Sequence, residues 1–363
     1  QIDTTGKTII PGLVDAHAHG SQGRNEIIPQ QNWSQYSNVS FGVTTIHDPS
    51  NDTTEIFAAA ELQRKGDIVA PRIYSTGTIL YGAEGLGYKA IINNYEDAYF
   101  HVERLKEAGA ISVKSYNQPR RDQRQQVVAA AIEAGVEVVA EGGSNYHMDM
   151  AMVADGNTSI EHNLPLSAIY EDVLQMYSQT EVAYTPTIVV TYGGLAGDPY
   201  WRQATDVWLH PILSRHAPPR ILQAGSVRRT TAPEEDFVDD DNARTALQLR
   251  NRGVDVSIGA HGQQQGLAAH WEMWSFVRGG FTPLQALETA TMAPARHLGF
   301  DADLGSLEVS KLADLGVMTA NPLDDIGNTD EIEYVMLNGR LYEADTMNET
   351  VTGDRVREPY FWE

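Results

Sequence analysis

Short apolar runs rich in Val, Ile and Thr alternate along this chain with longer segments whose apolar residues recur at helical spacing. Strands separated by helices cannot pair as hairpins. Each connection has to cross back over the sheet, which makes the strands parallel and covers them with helices. After a first apolar strand at Leu13-Val14, residues 41–48, 72–77, 110–116, 136–141, 159–162, 181–187 and 254–260 read as strands two to eight. Helices are predicted over 95–108, 121–134, 148–155 and 243–251, with Gly135 and Gly156 closing two of them. Eight strands in that rhythm predict an α/β fold, a (β/α)8 TIM barrel, whose functional side chains gather at the C-terminal ends of the strands. His17, His19, His47, Lys114, Glu141, His162 and His261 all fall at such ends.

His17 and His19 stand two positions apart beyond the first strand. Residues i and i+2 of a strand face the same way, so the two imidazoles project side by side as a ready pair of metal ligands. The alternative for such a pair is two hydrogen-bonded surface histidines. The chain has no cysteine, so a metal here must use His, carboxylate or a modified Lys. Lys114 is the only charge on its strand; a buried, unpaired ammonium would cost several kcal/mol or lose its proton. Pairing with Glu141 or Asp48 would resolve that. Beyond the same strand, Tyr116, Asn117, Arg120 and Arg121 lie over the pocket mouth, where an Arg fork suits a substrate carboxylate unless neighbouring acids claim it. His147 follows Glu141 closely and is as well suited to solvent as to a site.

The formal net charge of −23 disfavours nucleic acid, whose binding needs Lys and Arg to displace counterions. No apolar run is long enough to span a membrane. The start at Gln1, without an initiator Met, reads as a processed or partial chain, so a missing targeting signal means little. Residues 193–241 look least regular, with several Trp and Pro and two acidic runs. A long insertion there can act as a lid, and its acidic runs suit a solvated face better than a second metal site.

Pro11-Gly12-Leu13-Val14-Asp15-Ala16-His17-Ala18-His19-Gly20 resembles the first-strand signature of the amidohydrolase superfamily, and Gly305-Ser306-Leu307-Glu308-Val309-Ser310-Lys311-Leu312-Ala313-Asp314-Leu315 resembles its closing segment. Val113-Lys114, Ile160-Glu161-His162 and Ser257-Ile258-Gly259-Ala260-His261 lie between them in the order that fold requires. The resemblance implies three units: an N-terminal strand of a small β-sandwich (1–10), the metal-dependent barrel (11–304), and C-terminal sandwich strands with an aromatic tail (305–363). Most of the N-terminal part of that sandwich would be missing. It also implies one or two divalent ions, zinc first and Mn or Mg tolerated, on His17, His19, Lys114, Glu141 and His162, with Lys114 carboxylated and bridging. Two positions depart from the superfamily's pattern. Glu141 stands where many relatives have His, and His261 where an Asp normally helps activate the water. An imidazole there can be a general base or a ligand. The segment from His261 to Glu272, with Glu141-Gly142-Gly143, resembles a branch fused behind a TolB-like β-propeller and often exported, which implies a periplasmic or surface setting. It also places His270 and Glu272 at the same rim, with His270 as a substrate contact.

The leading expectation is a metal-dependent hydrolase of an amide or peptide-like C–N bond, with His261 and Lys114 in catalytic roles and Tyr116, Arg120 and His270 touching substrate. A small-molecule or peptide-like substrate is the expected partner; homo-oligomerisation is left open. Two alternatives stand beside it: a metal-binding or inactive barrel used as an interaction module, and a cyclic-amide hydrolase.

Overall fold

The computed structural model describes residues 2–85, 87–118, 120–143, 145–227, 229 and 231–363. Its strands are β1 (Thr8–Pro11), β2 (Leu13–Asp15), β3 (Val43–Asp48), β4 (Arg72–Ser75), β5 (Ile79–Tyr81), β6 (Lys89–Ile91), β7 (Ser112–Ser115), β8 (Glu137–Glu141), β9 (Ser159–Glu161), β10 (Ala183–Thr185), β11 (Leu315–Met318), β12 (Ile332–Leu337) and β13 (Arg340–Glu343). Strands β2-β3-β4 form one parallel sheet and β10-β9-β8-β7-β5-β6 another. The short pair β5 and β6 has no counterpart in the strands expected from the sequence. Residues 254–260, expected as a strand, instead run extended between the two sheets. Val256 bridges Tyr184 of β10, and Ile258 O accepts from Ala16 N beyond β2 at 3.2 Å.

The helices Tyr95–Ala108 and Arg121–Ala134 span the residues expected. Each ends at a glycine with positive φ, Gly109 (+112°) and Gly135 (+69°), which stops the helix at little steric cost. They pack on each other and on β7 through Val102, Leu105, Val113, Val127 and Ala131, all fully buried. Burial of a Val or Leu side chain contributes roughly 1.5–3 kcal/mol. The larger core runs under the remaining strands around Trp271, Tyr184, Phe41 and Phe276.

The expectation of an irregular stretch over 193–241 is corrected. The segment holds the helices Gly197–Ala204, Pro211–His216 and Pro219–Val227, and Asp239–Arg250 begins before it ends. Trp201 donates to Ser275 Oγ at 2.9 Å, and His216 Nε2 reaches Ala344 O at 3.0 Å, so the insertion is tied into the body.

Strands β1-β11-β12-β13 make an antiparallel sheet that joins the two ends of the chain, with Thr8 opposite Met318. The Asn338-Gly339 turn between β12 and β13 has φ of 51° and 75°, the two positive values a type I′ hairpin needs. In the tail, Tyr360 is buried and stacks on Trp362 at 4.4 Å, while Phe361 stays in solvent. Among the described residues no helix is long and apolar enough to cross a membrane.

Candidate metal centre

Asp15, the last residue of β2, organises the backbone under the site. Its Oδ1 accepts from His17 N at 3.2 Å and Ala260 N at 3.0 Å, and His261 N donates to His17 O at 2.7 Å. On the other side Ala18 N donates to His47 O at 2.9 Å. The His17–His19 stretch is thus stitched alternately to the 254–260 segment and to β3, and this alternation turns both histidines inward. Burial pushes the Asp15 carboxyl up to about 6, against the two amides that favour its charge.

Four imidazoles converge on one space, and each has its Nδ1 tied away from it. His162 Nδ1 lies 3.2 Å from Val190 O; a carbonyl only accepts, so Nδ1 carries the proton. The Thr187 hydroxyl spends its own proton on Thr185 O and therefore accepts from His17 Nδ1 at 3.0 Å; Glu161 Oε2 lies 2.9 Å from the same nitrogen. His19 Nδ1 meets Asp48 Oδ1 at 3.0 Å, and His261 Nδ1 meets Gln263 Oε1 at 3.3 Å. With Nδ1 protonated, every Nε2 presents a lone pair inward. His17 and His19 Nε2 are 3.1 Å apart, and His162 Nε2 is 3.3 Å from Glu141 Oε1. Acceptors facing acceptors at such distances repel unless a cation stands among them. Ring nitrogens of His17, His162 and His261 that could bind one metal ion all lie within 4.8 Å of one another. The donor set of imidazole and carboxylate suits a divalent cation, and the outward Nδ1 partners are orienting groups of the kind that metal-bound histidines need.

The backbone is strained where these groups sit. His162, His261 and Thr187 adopt φ of 67°, 57° and 52°, the left-handed region that costs a non-glycine residue roughly 1–3 kcal/mol. For β-branched Thr187 it is a marked outlier. Strain at three residues around one space is where function is expected to hold it in place. Gly259 leaves no spare room: a Cβ there would stand 2.8 Å from His17 Cβ and 2.9 Å from Thr187 Oγ1.

Lys114 is 1 % exposed, and its Nζ lies 2.7 Å from Glu141 Oε2. Burial opposes ionisation of Glu141, but Lys114 and His162 outweigh it and hold the carboxyl below the usual range. Burial also lowers His17 far below the normal imidazole range, helped by Lys114 and His19, and lowers His261 to about 3, helped by His19 and His162. Both rings are neutral ligands or bases at any ordinary pH. Burial raises Glu161 to about 8, against the nearby Lys114.

His17, His19, Lys114, Glu141, His162 and His261 lie close together in space. Other expected residues lie elsewhere. His47 is a cross-tie in the core, with Nδ1 on Ala16 O at 3.1 Å and Nε2 on Ser112 Oγ at 2.8 Å, so both nitrogens are used. His270 is fully buried against Phe41, its Nε2 2.9 Å from Phe41 O, and has no edge to offer a substrate. Glu272 is not at the rim; it braces the site from below, accepting from Val189 N at 2.7 Å and Gly259 N at 3.2 Å. Arg120 is exposed and pairs with Asp122, and Arg121 pairs with Asp155. His147 is exposed beside Tyr146. Tyr116 is half-buried just beyond β7, edge-on to Tyr81 at 5.7 Å and within reach of the Glu141 charge. Sequence reasoning missed Glu161, Thr187, Tyr192, whose ring meets His162 at 5.2 Å, and the orienting role of Asp48. For Glu161 a signal existed: a carboxylate in an otherwise apolar, buried strand needs a partner.

A parallel α/β fold with inward imidazoles and carboxylates at its strand ends defines a metal-dependent hydrolase. The chain belongs to the amidohydrolase family, whose model matches residues 8–342, and it is a hydrolase of carbon–nitrogen bonds. It is similar to a 5-methylthioadenosine/S-adenosylhomocysteine deaminase of Syntrophobacter fumaroxidans, 21% identical over 98% of this chain and 85% of the relative. Among solved structures, an Xaa-Pro dipeptidase with bound methionine superposes with a TM-score of 0.69 at 20% identity, covering 93% of this chain and 87% of that one. A. niger ochratoxinase superposes at 0.66 and 19%, covering 92% and 83%. At such identities the structural likeness fixes the fold alone.

Proposed function

We propose that this protein hydrolyses peptide-like or N-acyl amide bonds with one or two divalent ions, zinc first, held by His17, His19, Lys114, Glu141 and His162. The single observation that carries this reading is the convergence of Nε2 lone pairs whose Nδ1 atoms are all tied outward. Glu141, as a harder oxygen ligand, widens the choice toward Mn or Mg. A bound ion supplies an acidified water and polarises the substrate carbonyl. His261, neutral and facing the same space, takes a proton from the attacking water and returns it to the leaving nitrogen. Lys114, carboxylated on Nζ, would add a further oxygen pair; its amine pairs with Glu141 Oε2 at 2.7 Å, so the carboxylated form needs the ions to take up that carboxylate. In the same reading the two parallel sheets, joined through residues 254–260, are the wall of one closed barrel, and the antiparallel sheet belongs to the sandwich beside it. The exported, propeller-fused branch rests on the likeness of Glu141–Gly143 and His261–Glu272 alone.

One observation favours a second role for His261. It belongs to the three-imidazole cluster and could fill a ligand position instead of shuttling protons. The test of the whole reading is metal analysis of protein purified without chelator, then a screen of the zinc- and manganese-loaded protein against dipeptides, N-acyl amino acids and cyclic amides. We expect stoichiometric metal that His162→Ala loses, and turnover of the linear amides. Protein that binds no metal, or that binds it and cleaves none of the three classes, overturns the proposal.

A further inference from the structure

Several rings stand near the end of β7, the strand that carries Lys114. Tyr116 follows β7 on the same side as Lys114, and its hydroxyl is raised first by burial and then by Glu141. Tyr192 meets His162 edge-on at 5.2 Å and is raised by burial, Glu141 and Tyr116 in turn. The Glu141 charge thus acts on both hydroxyls. Tyr81, at the end of β5, meets Tyr116 edge-on at 5.7 Å.

A single cation stands in this aromatic setting. Lys89, the first residue of β6, places Nζ 4.9 Å from the Tyr81 ring centre and 5.1 Å from that of Tyr116. It is half-buried, and among the described residues it makes no ion pair. Arg120 and Arg121, the residues whose sequence position suggested anion recognition, are neutralised by Asp122 and Asp155. Two tyrosine faces hold an ammonium by its charge and leave its N–H groups for a further partner.

We infer that Lys89, held between Tyr81 and Tyr116, is the anchor for a free carboxylate of the substrate and selects amides that carry one. The inference rests on the proposed amide hydrolysis at the same site. An ammonium is a point charge, so it recognises a carboxylate without the two-pronged geometry of Arg. The substrate class is then an N-acyl amino acid or dipeptide with an apolar portion between Tyr116 and Tyr192.

Binding is measured directly, so that failure of catalysis and failure of this inference are told apart. N-acetyl-phenylalanine and its carboxamide, along with N-acetyl-leucine and its carboxamide, are titrated calorimetrically into the wild-type protein, Lys89→Met and Lys89→Arg. The wild-type protein should prefer each acid over its amide by about 10-fold or more, the range of a charge-assisted hydrogen bond. Lys89→Met should erase the preference while keeping the affinity for the amides, and Lys89→Arg should retain much of it. Equal affinity for acid and amide in the wild-type protein, an undiminished preference in Lys89→Met, or no measurable binding of any probe overturns the inference. Absence of turnover with the carboxylate preference intact would overturn the hydrolytic reading and leave this one standing.

Discussion

Replacing Asp48 by Asn changes one atom at a residue that touches no substrate, yet it should weaken the metal centre. Asp48 is fully buried, and its carboxylate accepts three hydrogen bonds: from His19 Nδ1 at 3.0 Å, Ser50 N at 3.0 Å and Asn51 Nδ2 at 2.7 Å. An amide in its place has one accepting oxygen. If that oxygen keeps His19 and Ser50, the new NH2 faces the NH2 of Asn51, donor against donor. Asn51 cannot turn over to help, because Nδ2 also holds Gly20 O at 2.9 Å and Oδ1 accepts from Asp52 N at 2.8 Å. If the introduced amide turns instead, His19 loses its acceptor and its orientation. Either way at least one buried bond is lost, about 1–3 kcal/mol each, together with the negative charge that makes His19 Nε2 a better ligand. Loss of such an orienting partner lowers metal affinity about 10- to 100-fold, or roughly 1.4–2.7 kcal/mol. The assay is a zinc titration of metal-stripped protein against a chromophoric chelator, with exposed Asp122→Asn as a control expected to be neutral. A zinc affinity in Asp48→Asn within threefold of the wild-type value would refute the reasoning, since His19 would then need no partner to act as ligand.

Lys114→Ala should lose turnover and recover part of it with added formate or acetate, while the wild-type protein carries the mass of one carbon dioxide on Lys114. An unmodified Lys114 in metal-loaded, active protein would end the carboxylated reading. Gly259→Ala should cost about 1–3 kcal/mol in urea denaturation and reduce zinc binding, because the new methyl meets His17 and Thr187 inside van der Waals contact; unchanged values of both would show that the site yields. For His261 the base must be neutral, so kcat/KM falls as pH drops through its folded pKa, held near 3 by burial and its imidazole neighbours. Burial lowers an imidazole but raises a carboxylate. The acid limb of His261→Asp should therefore lie at or above that of the wild-type protein, despite the lower ordinary pKa of Asp; a clear move to lower pH would refute the buried-base assignment.

Local pattern was enough for several features. Helices 95–108 and 121–134 are legible because a 3.6-residue period and a following glycine are properties of neighbours in sequence. The Asn338-Gly339 hairpin is legible for the same reason. The inward pair His17 and His19 follows from strand periodicity, and the family likeness supplied Lys114, Glu141, His162 and His261 as their companions. The sequence could not say which polar groups are already satisfied. His47 and His270 sit in positions that look functional, yet the fold spends His47 on Ala16 and Ser112, and His270 on Phe41. The arginines beyond β7 look like anion anchors until helix packing brings Asp155 against Arg121. Conversely, Glu161, Thr187, Asp48 and Lys89 gain their roles only when strands far apart in sequence are set side by side. Hydrogen bonds and charge contacts act over a few ångströms in space, whatever the separation along the chain, so the tertiary structure alone decides which histidines are free to take a metal and which lysine is free to take a carboxylate.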